Sequence, residues 1–142
     1  MIIIGSDHGG YKLKEQIKEY LTSKSYDFVD VGAYSVDEND DFSFFTKEII
    51  KKYNKDTTSK IIALCGSGIG VNIALNKAKG IFCAVGHNVK EVELARQHNN
   101  INAITFGGRT TEFDNAIEMI DTFLKTDFIG GKYQRRMNDI DL

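Results

Sequence analysis

The strongest chemical signal in the sequence is a cysteine followed by a run of glycines. Residues 61–71 are typical of a buried strand that enters a glycine-rich turn at Cys65 and opens a helix near Ile69. Glycines let the backbone approach a ligand closely, and the free N–H groups of a helix start favour negative charge, including that of a thiolate. Such a cysteine can attack a substrate or accept a proton from carbon. These residues alone also leave open an inert, buried cysteine.

The residues around the two cysteines do not match the motifs of nucleotide phosphate loops, cysteine phosphatases or metal sites. The turn lacks the Gly-Lys-Ser/Thr of a nucleotide phosphate loop, and no arginine closes it as in cysteine phosphatases. Cys65, Cys83 and His87 lack the paired spacing of metal ligands, so no metal site is predicted. Cys83 lies inside a strand pattern and is predicted to be a small core residue.

Two of the three histidines have two interpretations each. His8 follows Asp7 in a glycine-rich turn, and His98 ends a predicted helix immediately before a strand. His98 is therefore either a C-terminal helix cap or an acid–base group that faces a ligand. His87, beside Asn88, either lines the mouth of a site or is an ordinary surface residue.

A small basic cluster lies near the end of the chain. Lys132, Arg135 and Arg136 follow Gly130-Gly131. Such clusters are commonly solvated surface. Together with Arg109, they could instead supply the ammonium and guanidinium donors that hold a phosphate.

The elements that must position these residues alternate along the chain. Short apolar runs predict strands at residues 2–5, 28–31, 60–64, 82–85 and 103–106. Amphipathic patterns predict helices at residues 11–21, 42–53, 69–77, 89–97 and 112–124. This alternation predicts a parallel sheet covered on both faces, with ligands beyond the carboxyl ends of its strands. The unusual chemistry agrees, because most of it follows predicted strands.

Size and composition narrow the classes of function. The 142 residues predict one domain, 1–142, with residues 127–142 as a C-terminal arm or short helix. A net charge of −2 gives no reason to expect nucleic acid, and no apolar run is long enough for a membrane span. Two cysteines and no signal peptide lead us to expect a reduced, cytoplasmic protein.

Several segments, taken together, resemble the family of ribose-5-phosphate isomerase B and the galactose-6-phosphate isomerase subunits. The resemblance covers nearly the whole chain. The matching segments are residues 5–10 (Gly-Ser-Asp-His-Gly-Gly), 65–70 (Cys-Gly-Ser-Gly-Ile-Gly), 76–77 (Asn-Lys), 95–99 (Ala-Arg-Gln-His-Asn), 107–109 (Gly-Gly-Arg) and 130–131 with Arg136. Each is weak by itself, but all of them in family order and spacing are specific.

The resemblance implies a fold and a reaction. The fold is a three-layer α/β/α, Rossmann-like domain with a five-stranded parallel sheet, working as a homodimer or homotetramer. Ribose 5-phosphate and ribulose 5-phosphate interconvert through an enediolate without cofactor or metal. Active sites are implied at a two-fold interface, with Cys65 from one subunit and His98 from its partner.

The resemblance also implies roles for individual residues. Cys65 is the base that moves a proton between C2 and C1, His98 assists opening of the furanose ring, and Ser67 passes a proton between the enediolate oxygens. The residues implied to bind substrate are Asp7 and His8 at the sugar or its phosphate, Asn99 at the hydroxyls, Arg109, Lys132 and Arg136 at the phosphate, and the amides of Gly66, Gly68, Ile69 and Gly70 at the enediolate.

Two departures from the family pattern bear on the substrate. Phe42 stands in a segment that is often Asp-Tyr-Pro in the family. Lys132 stands where the family usually has an arginine, so one bidentate contact to phosphate is lost.

Three alternative functions are left open by the sequence: a galactose-6-phosphate isomerase subunit, a non-catalytic module that binds a phosphorylated ligand, and a thiol redox protein. The last is disfavoured because the chain has no Cys-x-x-Cys.

Overall fold

The computed structural model describes residues 1–140. At their centre lies a five-stranded parallel sheet. Its strands are β1 (Ile2–Ser6), β2 (Phe28–Asp30), β3 (Lys60–Cys65), β4 (Cys83–Val85) and β5 (Ala103–Gly107). They lie in the order β2-β1-β3-β5-β4, and every neighbouring pair is parallel. The predicted parallel sheet is confirmed.

Helices cover both faces of this sheet. They are α1 (Tyr11–Ser23), α2 (Phe42–Tyr53), α3 (Ile69–Asn76), α4 (Val89–Asn99), α5 (Phe113–Lys125) and α6 (Lys132–Asn138), with a short 3-10 turn at His8–Gly10. One core contains side chains of α1, α4 and α5, and a second contains side chains of α2 and α3. The three-layer fold is confirmed.

Alternation along the strands divides the two cores. On β3, Ile62 and Leu64 point into the core under α1 and α5, whereas Ile61, Ala63 and Cys65 point into the core under α2 and α3. Burial on both faces explains why the strands are apolar at nearly every position. The side chain of Cys65 therefore lies on the α2–α3 side of the sheet.

The strand order determines which loops meet. β1, β3 and β5 are neighbours in the middle of the sheet. Because they are parallel, the loops after Ser6, Cys65 and Gly107 leave the same edge of the sheet.

None of the helices in residues 1–140 is long and apolar enough to cross a membrane.

Lys14 is the clearest departure from the predicted faces of the helices. A lysine in an amphipathic helix is ordinarily on the solvent-facing side, yet Lys14 is fully buried. Its Nζ donates to Oδ2 of Asp30 at 2.5 Å and to the carbonyl of Ala33 at 2.6 Å. The ion pair with Asp30 compensates the buried charge of Lys14. An amphipathic sequence pattern does not reveal such a partner, because it reports only the residues of the helix itself.

The C-terminal segment lies on α4. The Ile129 N–H donates to the Gln97 carbonyl at 3.0 Å, and α6 then begins at Lys132 with no buried residue of its own. The arm was predicted over residues 127–142, of which residues 141 and 142 lie outside the described part of the chain.

Candidate active site

Three glycine-containing loops pack directly against one another at the carboxyl edge of the sheet. The Gly108 N–H donates to the carbonyl of Cys65 at 2.8 Å, which joins the loop after β5 to the loop after β3. A side chain on Gly9 would lie 2.8 Å from the Gly66 nitrogen, and one on Gly108 would collide with the Gly9 carbonyl. The absence of side chains at these positions lets the loops approach closely.

Cys65 is the last residue of β3 and lies beneath these loops. It is only 5% exposed. The Gly68 N–H donates to its Sγ at 3.1 Å, and Oγ of Ser67 lies 4.0 Å from the same sulfur. Gly68 adopts a φ of +77°, a conformation that glycine accepts without strain. A backbone N–H directed at sulfur stabilises negative charge there, as a thiolate base requires.

The predicted anion hole of residues 66–70 is partly occupied by the chain itself. The Gly68 amide is bound to Cys65, and the Ile69 N–H donates to Oγ of Ser67 at 3.2 Å. Gly70 lies in the first turn of α3, where a side chain would meet the Phe42 ring at 2.9 Å. The remaining predicted donors are the amides of Gly66, which faces the Gly9 loop, and of Gly70.

Asp7 organises the turn after β1. Its Oδ1 accepts from the Gly9 N–H at 2.9 Å and from the Gly10 N–H at 3.3 Å. Burial raises the pKa of Asp7 above its ordinary value, although the two amide bonds and the charge of His8 oppose that effect. The carboxylate thus fixes the position of His8.

His8 is bound by a residue that the sequence analysis missed. Oδ1 of Asp40 lies 2.6 Å from Nδ1 of His8 and accepts from the His8 N–H at 3.0 Å. The bond to Asp40 raises the pKa of His8 above its ordinary value. Asp7, His8 and Asp40 each offer one atom that could bind a metal, and these three atoms lie within 4.8 Å of one another. The side chains of His8 and Asp40, however, are already hydrogen-bonded to each other. Asp40 lies in the acidic loop of residues 37–41. Nothing in the sequence of that loop distinguishes Asp40 from an ordinary solvent-exposed aspartate.

Arg109 completes this group from the loop after β5. Its N–H donates to the Gly66 carbonyl at 3.0 Å. Its exposed guanidinium lies over Gly66, where a side chain would come within 2.8 Å of Nη1. Five of the predicted site residues therefore lie together at this edge of the sheet: Asp7, His8, Cys65, Ser67 and Arg109.

The remaining predicted residues form a second group on α4 and α6. The His98 ring stacks on the Tyr133 ring, with 4.2 Å between centroids and 7° between planes. Nδ2 of Asn99 donates to Sδ of Met137 at 3.4 Å. The cationic groups of Lys132 and Arg136 lie 5.3 and 5.5 Å from the Tyr133 centroid. Sequence reasoning missed Tyr133, although it lies between the two basic residues.

The two groups lie at opposite edges of the sheet. Ala103, the first residue of β5, pairs with Ile61, four residues before Cys65. At a rise of roughly 3.3 Å per residue, Cys65 is about 13 Å farther along the strands. His98 precedes Ala103 at the end of α4, beyond the amino edge. One chain therefore does not bring Cys65 and His98 together.

Other motif residues have structural partners. Asn76 bonds to both the N–H and the carbonyl of Cys83, at 2.8 and 2.9 Å, and so joins α3 to β4. Cys83, predicted to be a core residue, is partly buried and packs against the core under α2 and α3, and burial raises the pKa of its thiol well above its ordinary value. His87 is exposed, and its Nδ1 lies 3.3 Å from Oε2 of Glu91.

Comparison with known proteins gives one consistent result. The pattern of the family described as Ribose/Galactose Isomerase matches residues 2–140. A probable ribose-5-phosphate isomerase B of Mycoplasma genitalium is 39% identical over 140 residues, which cover 98% of this chain and 92% of that protein. A ribose-5-phosphate isomerase B of Mycobacterium tuberculosis is 37% identical over 141 residues, or 99% and 86% of the two chains.

Solved structures agree with these sequence matches. The ribose 5-phosphate isomerase of Thermotoga maritima is 37% identical, has a TM-score of 0.94, and covers 99% of this chain and 96% of that one. The Mycoplasma genitalium enzyme with bound ribulose-5-phosphate has a TM-score of 0.93 at 39% identity, with 98% and 92% covered.

Proposed function

The chain belongs to the ribose/galactose isomerase family, and on that premise we propose that it interconverts ribose 5-phosphate and ribulose 5-phosphate with Cys65 as the base. The observation that carries the proposal is the Gly68 N–H directed at Sγ of Cys65 at 3.1 Å. A relative at 39% identity holds ribulose-5-phosphate, which supports this substrate.

Cys65 would move the proton between C2 and C1 of the open-chain sugar. Proton removal next to a carbonyl builds negative charge on oxygen, so the reaction passes through an enediolate. The thiolate takes the proton from one carbon and returns it to the other, and no redox partner is consumed. The reaction requires a free thiol, and Cys65 is free. A reducing cytoplasm would preserve that thiol.

Ser67 and the neighbouring amides would serve the enediolate oxygens. Oγ of Ser67 lies 4.0 Å from Sγ of Cys65, close enough to pass a proton between oxygens of a sugar bound at the sulfur. Preorganised N–H donors stabilise the developing oxyanion, and loss of one typically costs about 3 kcal/mol. The Gly66 and Gly70 amides are proposed to act in this way.

The phosphate and the hydroxyls would be held by both groups of residues. His8 and Arg109 lie at the carboxyl edge with Cys65, whereas Lys132 and Arg136 lie with His98 and Asn99 at the other edge. Clamping the phosphate supplies binding energy that orients the reacting carbons. Asp7 would support His8 through the turn that it caps.

A second copy of the chain would unite the two groups. In a two-fold dimer, the His98 group of one subunit can face the Cys65 group of its partner, and each such site then occurs twice. The surface beside Cys65 supports an interface, since Ile69 and Ile73 of α3 are 55% and 59% exposed one helical turn apart. We propose that the partner covers them.

Assays of the purified chain test the proposal. Ribose 5-phosphate, ribulose 5-phosphate and galactose 6-phosphate are supplied separately, and product is measured with coupled enzymes. We expect turnover of both pentose phosphates, and Cys65→Ala should abolish it while ribulose 5-phosphate still binds. Cys83→Ala is the matched control, because it removes the other thiol and should retain turnover.

The outcomes separate the alternatives. Near-normal turnover in Cys65→Ala contradicts the assignment of the base. Binding without turnover in the parent protein indicates a non-catalytic module. A chain that is inactive on pentose phosphates but isomerises galactose 6-phosphate with a second, different subunit is the galactose-type member.

A further inference from the structure

The loop between β2 and α2 is tied to the end of β1. The Ser6 N–H donates to the Gly32 carbonyl at 2.7 Å, and the Ala33 N–H donates to the Ser6 carbonyl at 2.6 Å. The buried Lys14 binds the Ala33 carbonyl and the Asp30 carboxylate from α1. These bonds anchor the first part of the loop beside the turn that carries Asp7 and His8.

The far end of the same loop returns to that turn through Asp40. Its Oδ1 contacts both the backbone N–H and Nδ1 of His8, and its side chain is only 12% exposed. Oδ2 of Asp40 is buried without a hydrogen-bond partner among residues 1–140. The carboxylate is thus committed to His8, 32 residues away in the sequence.

This contact determines what the other ring nitrogen can do. An imidazole that donates Nδ1–H to a carboxylate has a bare Nε2 when neutral and an Nε2–H donor when protonated. Only the protonated ring can donate to an anion through Nε2. The partner of Nδ1 therefore controls the pH range over which His8 binds a phosphate oxygen.

The charged groups that face His8 are Asp40, Asp7 and Arg109. The bond to Asp40 is the largest influence that raises the pKa of His8, burial opposes it, and the charge of Asp7 adds to it while that of Arg109 opposes it. Asp40 thus favours the protonated ring of His8 against the opposing effects of burial and of the Arg109 charge.

We propose that Asp40 is a positioning residue, which orients His8 and keeps Nε2 protonated so that it donates, with Arg109, to the phosphate of the substrate. The inference rests on the proposed function for the identity of the anion. The contact itself stands on the geometry, so its two parts are tested separately.

The first test needs no substrate. Imidazole resonances of the full protein are followed by NMR against pH in the parent, in Asp40→Asn and in Asp37→Asn, and His8→Gln identifies the His8 signal. Asp40→Asn keeps an acceptor for Nδ1–H but removes the charge, so His8 should titrate at lower pH than in the parent. Asp37→Asn removes the same charge from an exposed position in the same loop and should leave the His8 titration unchanged. Equal titration in the parent and Asp40→Asn, or an equal shift in both variants, overturns the proposal.

The second test uses the reaction. KM for ribulose 5-phosphate is measured between about pH 6 and pH 9, each variant being compared with the parent at the same pH because the phosphate itself titrates near pH 6. KM of Asp40→Asn should be near the parent value at low pH, where both rings are protonated. It should exceed the parent value by up to about tenfold between the two His8 titrations found by NMR, the typical effect of losing one charge-assisted hydrogen bond, and the difference should narrow again once both rings are neutral. kcat should change little.

A merely structural role predicts a different pattern. It would raise KM equally at every pH or lower kcat, and either result overturns the positioning role. Absence of isomerase turnover in the parent would refute the proposed function, whereas the NMR comparison would still decide whether Asp40 controls His8.

Discussion

The imidazole of His98 lies parallel to the phenol ring of Tyr133, with 4.2 Å between their centroids. This stack joins the end of α4 to α6, and the cationic groups of Lys132 and Arg136 lie over the same Tyr133 ring. His98 is therefore held on a surface with two cations, at the edge of the sheet opposite Cys65. Its proposed role, opening of the furanose ring, requires that this surface reach a second subunit.

Replacing His98 should separate ring opening from proton transfer. Only the aldose must open a furanose ring, so His98→Asn should slow single-turnover conversion of bound ribose 5-phosphate far more than that of bound ribulose 5-phosphate. Rapid-quench measurements in both directions provide the comparison. An equal loss in each direction would count against a ring-opening role.

Gly68 should be irreplaceable for steric reasons as well as for its backbone conformation. Gly68 and Gly130 share a φ of +77°, so an alanine at either position is strained. At Gly68 the added carbon would also lie 2.8 Å from the backbone of Phe106, whereas nothing lies within 4 Å at Gly130.

We therefore expect Gly68→Ala to lower the free energy of unfolding by about 2 kcal/mol more than Gly130→Ala, the typical effect of overpacking. Gly68→Ala should also reduce turnover at least tenfold, because it displaces the N–H that binds Cys65. Urea unfolding and the isomerase assay measure the two effects. Equal stability losses in the two variants would show that the loops can relax around the added carbon.

Asp30 should make stability depend on acid pH. Burial opposes its ionisation, but hydrogen bonds from Lys14 and Lys18 outweigh burial and hold the pKa of Asp30 below its ordinary value. A lowered pKa contributes stability that is present above the unfolded-state pKa of about 3.9, and that is lost as pH falls through the folded-state pKa.

Asp30→Asn should therefore cost about 3 kcal/mol near neutral pH, as expected when one member of a buried ion pair is removed. The difference from the parent should narrow in strong acid. Urea unfolding at about pH 7, 5 and 3 measures it, with Glu19→Gln at an exposed position of α1, the helix that carries Lys14 and Lys18, as the charge control. A difference that stays constant down to the lowest pH would contradict the linkage.

The sequence predicted the architecture well, because the five strands and the helices α1 to α5 each have a local apolar pattern, which α6 lacks. It also identified Cys65 and the glycine turns, since those residues follow a strand and the turn geometry needs glycine. It did not predict the roles of Asp40, Lys14 and Tyr133. Their roles depend on partners distant in sequence, as the 32 residues between His8 and Asp40 illustrate. An acidic loop and a lysine on a helix are ordinary surface features until the fold supplies those partners.

The separation of Cys65 from His98 follows from sequence order once the sheet is known to be parallel. Cys65 ends β3 and so lies at the carboxyl edge, whereas His98 precedes β5 and lies at the amino edge. The family resemblance had implied a site shared between subunits, which remains a prediction that the geometry of one chain supports.

Subunit mixing tests the shared site most directly. Cys65→Ala and His98→Ala, each expected to be inactive alone on ribose 5-phosphate, are combined under conditions in which subunits exchange. Exchange is verified by mass spectrometry, and activity is measured with ribose 5-phosphate. Random pairing makes about half of the dimers mixed, and each mixed dimer regains one intact site beside one doubly defective site. Activity should then recover to about a quarter of the parent value. Exchange without any recovery above the single variants would contradict the account, because both residues would then act within one chain.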